Sequence, residues 1–207
     1  MRRALLRSAI LVALFLCAAH APVVGDDTPA LADQWTSGRV LPQKIRNVLI
    51  VGITPDAQAR RAFEDRFVTL LRARGGEAIT SYSIVPDLTA ERDPAAVLGA
   101  LFARRVEGII TVRLRPFDKK TPEPERAAAW KTAMATPEPV RDYIAAALRD
   151  FDTKTKEFGA EVAFWSMDDE RRVWAGRFPG ESLKGLRSRA SEMVQVLLDE
   201  MRFEGLY

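Results

Sequence analysis

Six consecutive residues, Val48-Leu49-Ile50-Val51-Gly52-Ile53, offer water nothing but their backbone. A run this short, apolar and β-branched reads as a buried central strand. The neighbouring residues agree with that. Thr54-Pro55-Asp56 opens a helix, with Thr54 as N-cap, Pro55 at the first helical position and Asp56 set against the macrodipole. Ala59, Phe63, Phe67 and Leu70 recur on one helical face, the pairs Arg60/Glu64 and Arg61/Asp65 fall on the wet side, and Gly75-Gly76 ends the helix. Residues 78–85 read as a second strand closed by Pro86-Asp87. Asp93 then caps a second helix that carries Pro94 at its start and Val97, Leu98, Leu101 and Phe102 inside, and Gly108 stops it. Ile110, Val112 and Leu114 alternate with Thr111, Arg113 and Arg115, the pattern of a half-buried strand. Strand, helix, strand, helix, strand in that order implies right-handed crossovers and mostly parallel strands.

The second half is patterned differently. Residues 116–139 hold Pro122, Pro124, Pro137 and Pro139 among many charges and read as an irregular insertion, with a short helix at 127–135 around Trp130. Val140, Tyr143, Ile144, Ala147, Leu148 and Phe151 predict a third main helix. Residues 161–167 and 172–178 read as a hairpin joined by Asp168-Asp169-Glu170-Arg171. A last helix runs from near Ser182 to about Arg202 with Leu183, Leu186, Ala190, Met193, Val194, Leu197 and Met201 as its stripe. The expected fold is a single α/β (α+β) domain over residues 44–207. It has a mixed sheet of about five strands with helices mainly on one face, in the order βαβαβ-α-ββα.

The chain begins like an export signal. Arg2, Arg3 and Arg7 precede an apolar stretch at 9–19 that is too short to span a bilayer. Val23-Val24-Gly25 before Asp26 is the preferred cleavage site, because Pro22 spoils the Ala19-His20-Ala21 alternative. Arg2-Arg3-Ala4-Leu5-Leu6 resembles a twin-arginine signal, but the very apolar core and the lack of a cofactor motif favour the general secretory route. Leu16 before Cys17 degrades a lipobox, so a lipid anchor is the less favoured reading and a periplasmic or secreted destination the favoured one. Residues 26–43, polar and rich in Gly and Pro, read as a flexible tether from which Trp35 docks on the domain.

Loss of residues 1–25 changes the chemistry available. The 31 basic residues fall to 28, against 28 acidic ones, so the mature chain has no net charge to draw it to nucleic acid. The single Cys and single His, Cys17 and His20, leave with the leader. Without imidazole or thiol, Ser-His-Asp and Cys-His catalysis, zinc sites built on His or Cys, and disulfides are closed to it.

Several stretches resemble a known pattern. They are residues 47–56 leading into Arg61-Ala62-Phe63-Glu64-Asp65-Arg66-Phe67, then Leu71-Arg72-Ala73-Arg74-Gly75 and Ser81-Tyr82-Ser83-Ile84-Val85-Pro86-Asp87, then Val173-Trp174-Ala175 and Glu204-Gly205-Leu206. Together they are similar to small Gram-negative envelope lipoproteins with a DUF4136-type domain. The resemblance covers most of the domain outside 116–159, implies an envelope location, and transfers no functional residues. The chain departs from that group in its degraded lipobox and its charged, helical middle.

Four constellations hold residues suited to chemistry. Gly52-Ile53-Thr54-Pro55-Asp56 is a strand-to-helix turn of the kind that binds phosphate, but with one glycine and no following Lys it reads as a cap. Asp168-Asp169-Glu170 has the oxygen ligands for a hard cation but lacks EF-hand spacing and reads as a solvated turn. Arg104, Arg105, Arg113 and Arg115 offer a basic face for phospholipid, lipopolysaccharide or glycan, or a solvated strand. Trp165 and Trp174 suggest a cross-strand pair, and Trp130 either a partner anchor or a residue packed back on the domain. No catalytic, cofactor-binding or metal-ligating residue is assigned, and no cofactor, nucleic acid or membrane span is expected. The favoured function is a non-enzymatic binding or assembly module of the envelope. A carboxylate-based cell-wall or glycan hydrolase and a carrier for a small amphiphile are the alternatives.

Overall fold

The computed structural model describes residues 29–39, 41, 44–88, 93–150 and 157–207. The leader, its cleavage site and Phe151 lie outside the described residues. The elements are β1 (Asp33–Thr36), β2 (Asn47–Ile53), α1 (Ala57–Ala73), β3 (Glu77–Thr80), α2 (Pro94–Phe102), β4 (Gly108–Pro116), α3 (Glu123–Ala135), α4 (Val140–Arg149), β5 (Glu157–Ser166), β6 (Arg171–Arg177), β7 (Glu181–Ser182) and α5 (Leu183–Phe203). The strands form one mixed sheet in the order β1-β6-β5-β4-β2-β3, and β7 pairs with the start of β5. β2 runs parallel to both β3 and β4, and the other pairings are antiparallel. The α/β class and the element order match the sequence reading. The sheet has seven strands rather than about five, because the 26–43 segment and residues 181–182 each add one. Among the described residues, no helix is long and apolar enough to cross a membrane.

Helices cover both faces of the sheet, not mainly one. The reason lies in the strand order. The chain crosses from β2 to β3 in one direction and from β3 past β2 to β4 in the other, so two crossovers of the same hand lay α1 and α2 on opposite faces. β2 is therefore wet on neither side. Val48 and Ile50 join a core with α1 and α5, while Leu49, Val51 and Ile53 join another with α2, α3 and α4. That is why the run of residues 48–53 has no polar alternation.

Local boundaries differ from the pattern where a side chain intervenes. The cap of α1 is Asp56, whose carboxylate accepts from the Ala59 amide at 2.7 Å, and not Thr54. Arg60 and Glu64 lie buried at 3% and 0% exposure rather than on the wet side. The second strand stops at Thr80 instead of running to 85. There the Ser81 hydroxyl and the Tyr82 amide turn to donate to Glu64, at 2.7 and 3.1 Å, and the chain enters a 3-10 turn. α1 ends where its glycines predict: Gly75 adopts φ +85°, and the Gly76 amide returns to Leu71 O at 3.0 Å. Asp93 and Ser182 cap α2 and α5 as their sequences suggest.

Two segments read as irregular carry structure. Within 26–43, Asp33–Thr36 is the edge strand β1, paired with β6 from Asp33 opposite Arg177 to Thr36 opposite Trp174. Within 116–139, α3 spans Glu123–Ala135, longer than the short helix expected, and its Trp130 and Met134 are buried in the second core. The prolines stand at the ends of α3, where Pro124 occupies the first turn and costs no hydrogen bond.

Candidate functional site

α3, the segment between β4 and α3, and the adjoining ends of β5 and β6 enclose an open cleft of about 390 Å3. Gly159, Ala160 and Glu161 of β5 form its floor. Arg177 of β6 and the adjacent Phe178 form one wall, Trp130 and Ala133 of α3 another, and Arg115, Phe117 and Asp118 the third. A volume of this order lies at the small end of ligand sites.

Glu161 is the floor's charged group, and it is only 3% exposed. Its carboxylate accepts from the Trp130 indole at 2.8 Å, the Tyr143 hydroxyl at 2.6 Å and Arg115 at 3.4 Å. A buried carboxylate needs such partners. Burial holds the Tyr143 phenol well above the ordinary tyrosine pKa, and the Glu161 charge adds to that, so Tyr143 stays a proton donor. Arg172 stacks over Trp165 at 4.5 Å and donates to the carbonyls of Ala133 and Met134, at 3.3 and 2.7 Å, tying the carboxyl end of α3 to the sheet.

The wall at Arg177 is a charge network. Arg177 donates to Asp33 at 2.8 Å and also pairs with Glu123, which joins β1, β6 and α3. Burial alone raises both carboxyl pKa values. Lys131 and Arg177 at Asp33, and Arg126 and Arg177 at Glu123, outweigh it and hold each below its usual range. The Arg126 guanidinium lies over the Phe117 ring, 4.7 Å from its centroid. Gly180 approaches the same ring so closely that a Cβ there would collide with it.

The constellations read from sequence are distributed otherwise. Trp165 and Trp174 do not pair: Trp165 faces Arg172 and Trp174 faces Phe164, and the two indoles enter opposite cores. Trp130 packs back on the domain. Arg113 and Arg115 stand at the cleft end of β4, whereas Arg104 and Arg105 precede its other end, so the four share no face. Below the Gly52 turn the Gly52 amide already donates to Glu64 at 2.8 Å, and Asp56 fills the helix start. In the hairpin turn, Asp169 pairs with Arg39 and Glu170 with Arg141. Among the described residues, no group of three His, Cys, Asp or Glu side chains is placed to hold a metal. Sequence reasoning missed Glu161 and Arg177. Both sit in strands whose neighbours are uniformly buried, and a charge inside such a strand was the available signal.

Neither a family model nor a curated protein matches this chain. Among solved structures it is similar to a point variant of the PelC dodecamer from Paraburkholderia phytofirmans. That match has a TM-score of 0.41 and 15% identity, over 80% of this chain and 93% of that one. It is also similar to the PelC dodecamer of the same organism in a second crystal form, with a TM-score of 0.39 and 15% identity over 80% and 92%.

Proposed function

We propose that this chain is an exported envelope protein of the DUF4136-like kind that works by binding or assembly rather than catalysis, and that the cleft over Trp130 and Glu161 is its ligand site. The observation that carries the reading is the hydrogen bonding of Glu161 within the protein. Three donors engage the carboxylate, two on Oε2 and one on Oε1, which fixes the cleft floor and commits most of its acceptor capacity to the protein itself. Asp118, also on the lining, is held below the usual carboxylate range by hydrogen bonds from Thr121 and the Lys120 amide, so it is a poor proton donor. Paired-carboxylate hydrolysis needs one acid that keeps its proton near neutral pH. The cleft supplies instead aromatic and apolar walls over that hydrogen-bonded floor, with a charged rim, which suits a small ligand with one apolar face. Its openness and charge disfavour the carrier for a small amphiphile.

Ligand-observed NMR of the purified protein with a panel of monosaccharides and aryl carboxylates tests this. Fragments are expected to bind, to compete with one another and to lose binding in Trp130→Phe and Glu161→Gln. Release of soluble fragments from cell-wall sacculi by the wild-type protein, or fragment binding untouched by both substitutions, would overturn it.

A further inference from the structure

The amino ends of the parallel strands form a face remote from the cleft. Register sets them side by side, with Asn47 opposite Glu77 and Val48 opposite Gly108. The residues leading into these strands are basic: Lys44 and Arg46 before β2, Arg74 before β3, Arg104 and Arg105 before β4. The carboxyl end of α5 joins them, since the Ile45 amide donates to Leu206 O at 3.2 Å, and it brings Arg202. Lys44, Arg46, Arg74 and Arg202 surround a groove of about 690 Å3 whose lining contains no Asp or Glu side chain. Among the described residues, Arg74 alone of these six cations has an ion-pair partner, Asp199 at 2.6 Å. The acids near the face are Glu77, Glu107, Asp199 and Glu204, and Glu107 is engaged by the Arg46 amide at 2.7 Å.

A second observation falls at the same place. Phe203, next to Arg202, is 86% exposed and is the one large hydrophobic side chain left exposed among the described residues. Helix carboxyl ends attract basic residues, and α1, α2 and α5 all end at this face. That accounts for Arg74, Arg104, Arg105 and Arg202. It does not account for Lys44 and Arg46, for a groove lined by no Asp or Glu side chain, or for Phe203.

We propose that this face docks the protein on a bilayer surface containing anionic phospholipid, with the cations at the level of the phosphates and Phe203 entering the headgroup region. Basic side chains within a Debye length of an anionic surface are drawn to it, and an adjacent aromatic adds apolar burial. A free phosphate would explain the groove but not Phe203. From Gly108 to Pro116, β4 spans about 25 Å at its usual rise, so a docked molecule holds the Trp130 cleft away from the bilayer. The inference is independent of what that cleft binds.

Flotation of the purified protein with phosphatidylcholine vesicles, with and without phosphatidylglycerol, tests it, the fold of each variant being checked by circular dichroism. Binding is expected only to the phosphatidylglycerol vesicles and is expected to fall as salt rises. The double variant Arg46→Gln/Arg202→Gln weakens it about thirty-fold, the effect of two basic residues at an anionic surface. Lys44→Gln and Phe203→Ser each weaken it several-fold, while Lys184→Gln, the same charge change at the far end of α5, leaves it unaltered. Equal partition into both vesicle types, an equal loss with Lys184→Gln, or saturable binding of inorganic phosphate with no vesicle binding would each overturn the proposal.

Discussion

Arg60 and Glu64 form an ion pair at 2.9 Å inside the protein, one helical turn apart and both all but inaccessible to water. The pair is bound on every side: Glu64 accepts from the Gly52 and Tyr82 amides and the Ser81 hydroxyl, and Arg60 donates to Ser81 and to Pro86 O. It fastens α1 to the end of β2 and to the turn after β3. Removing one partner strands a buried charge. Glu64→Ala is expected to destabilise the protein by about 3–5 kcal/mol, and a paired Arg60→Met/Glu64→Leu change by far less. Urea unfolding of Glu64→Ala checks the first figure, and unfolding of Arg60→Met, Glu64→Leu and their double variant gives the coupling energy.

The contact between Trp130 and Glu161 supports a similar argument with a smaller magnitude. Trp130→Phe keeps the ring and deletes one donor to a buried carboxylate, which costs about 1–3 kcal/mol. Glu161→Gln leaves the Tyr143 hydroxyl and Trp130 indole with a weaker acceptor, and a loss of similar size is expected. If unfolding shows no change for either variant, the cleft floor is not held as described.

Gly180 controls the cleft by what it lacks. A methyl group there would collide with the Phe117 ring, which also packs against Arg126. Gly180→Ala is therefore expected to displace Phe117 and reduce fragment binding at least several-fold, with little loss of helix signal. Ring-proton shifts of Phe117 in NMR spectra report the displacement directly.

Acid should loosen the junction of β1, β6 and α3 first. Asp33 and Glu123 have folded-state pKa values below their unfolded ones, so at low pH the unfolded chain binds more protons. Their contribution is complete above about pH 5 and is lost as pH falls from the ordinary carboxylate range through the depressed folded values. Replacing Arg177 with Met removes the shared partner and is expected to flatten this dependence. Unfolding free energy followed from pH 7 to pH 3 in both proteins provides the measurement.

Much of the fold could be read from the chain because backbone periodicity reports what surrounds an element. The run at 48–53 and the stripe of α5 survive intact, whereas the strand at 110–115 is buried on both faces at Thr111 and opens to water only towards Arg115. Side chains that bind backbone at a distance left no such trace. The capture of Ser81 and Tyr82 by Glu64 shortens β3, and an i, i+4 ion pair looks the same in sequence whether it faces solvent or core. The expected pairing of Trp165 with Trp174 fails for a related reason. The hairpin turns one residue earlier than expected, with Ser166 opposite Arg171, so Trp165 meets Arg172 and Trp174 meets Phe164, and only the paired structure reveals that register. The cleft was harder still, because its walls come from β4, α3, β5 and β6, and no local pattern links them.

The pairing of β1 with β6 imposes an order on folding. Asp33 meets Arg177 across 144 positions of sequence, so a strand near the front of the chain must wait for one near its back. Closing so long a loop is entropically slow. Until then the outer edge of β6, a ladder of unsatisfied amides and carbonyls, is open to strands of other molecules. The vulnerable species during maturation is thus a nearly finished sheet missing its outermost strand, and a peptide copying residues 33–36 would be expected to compete for that vacancy.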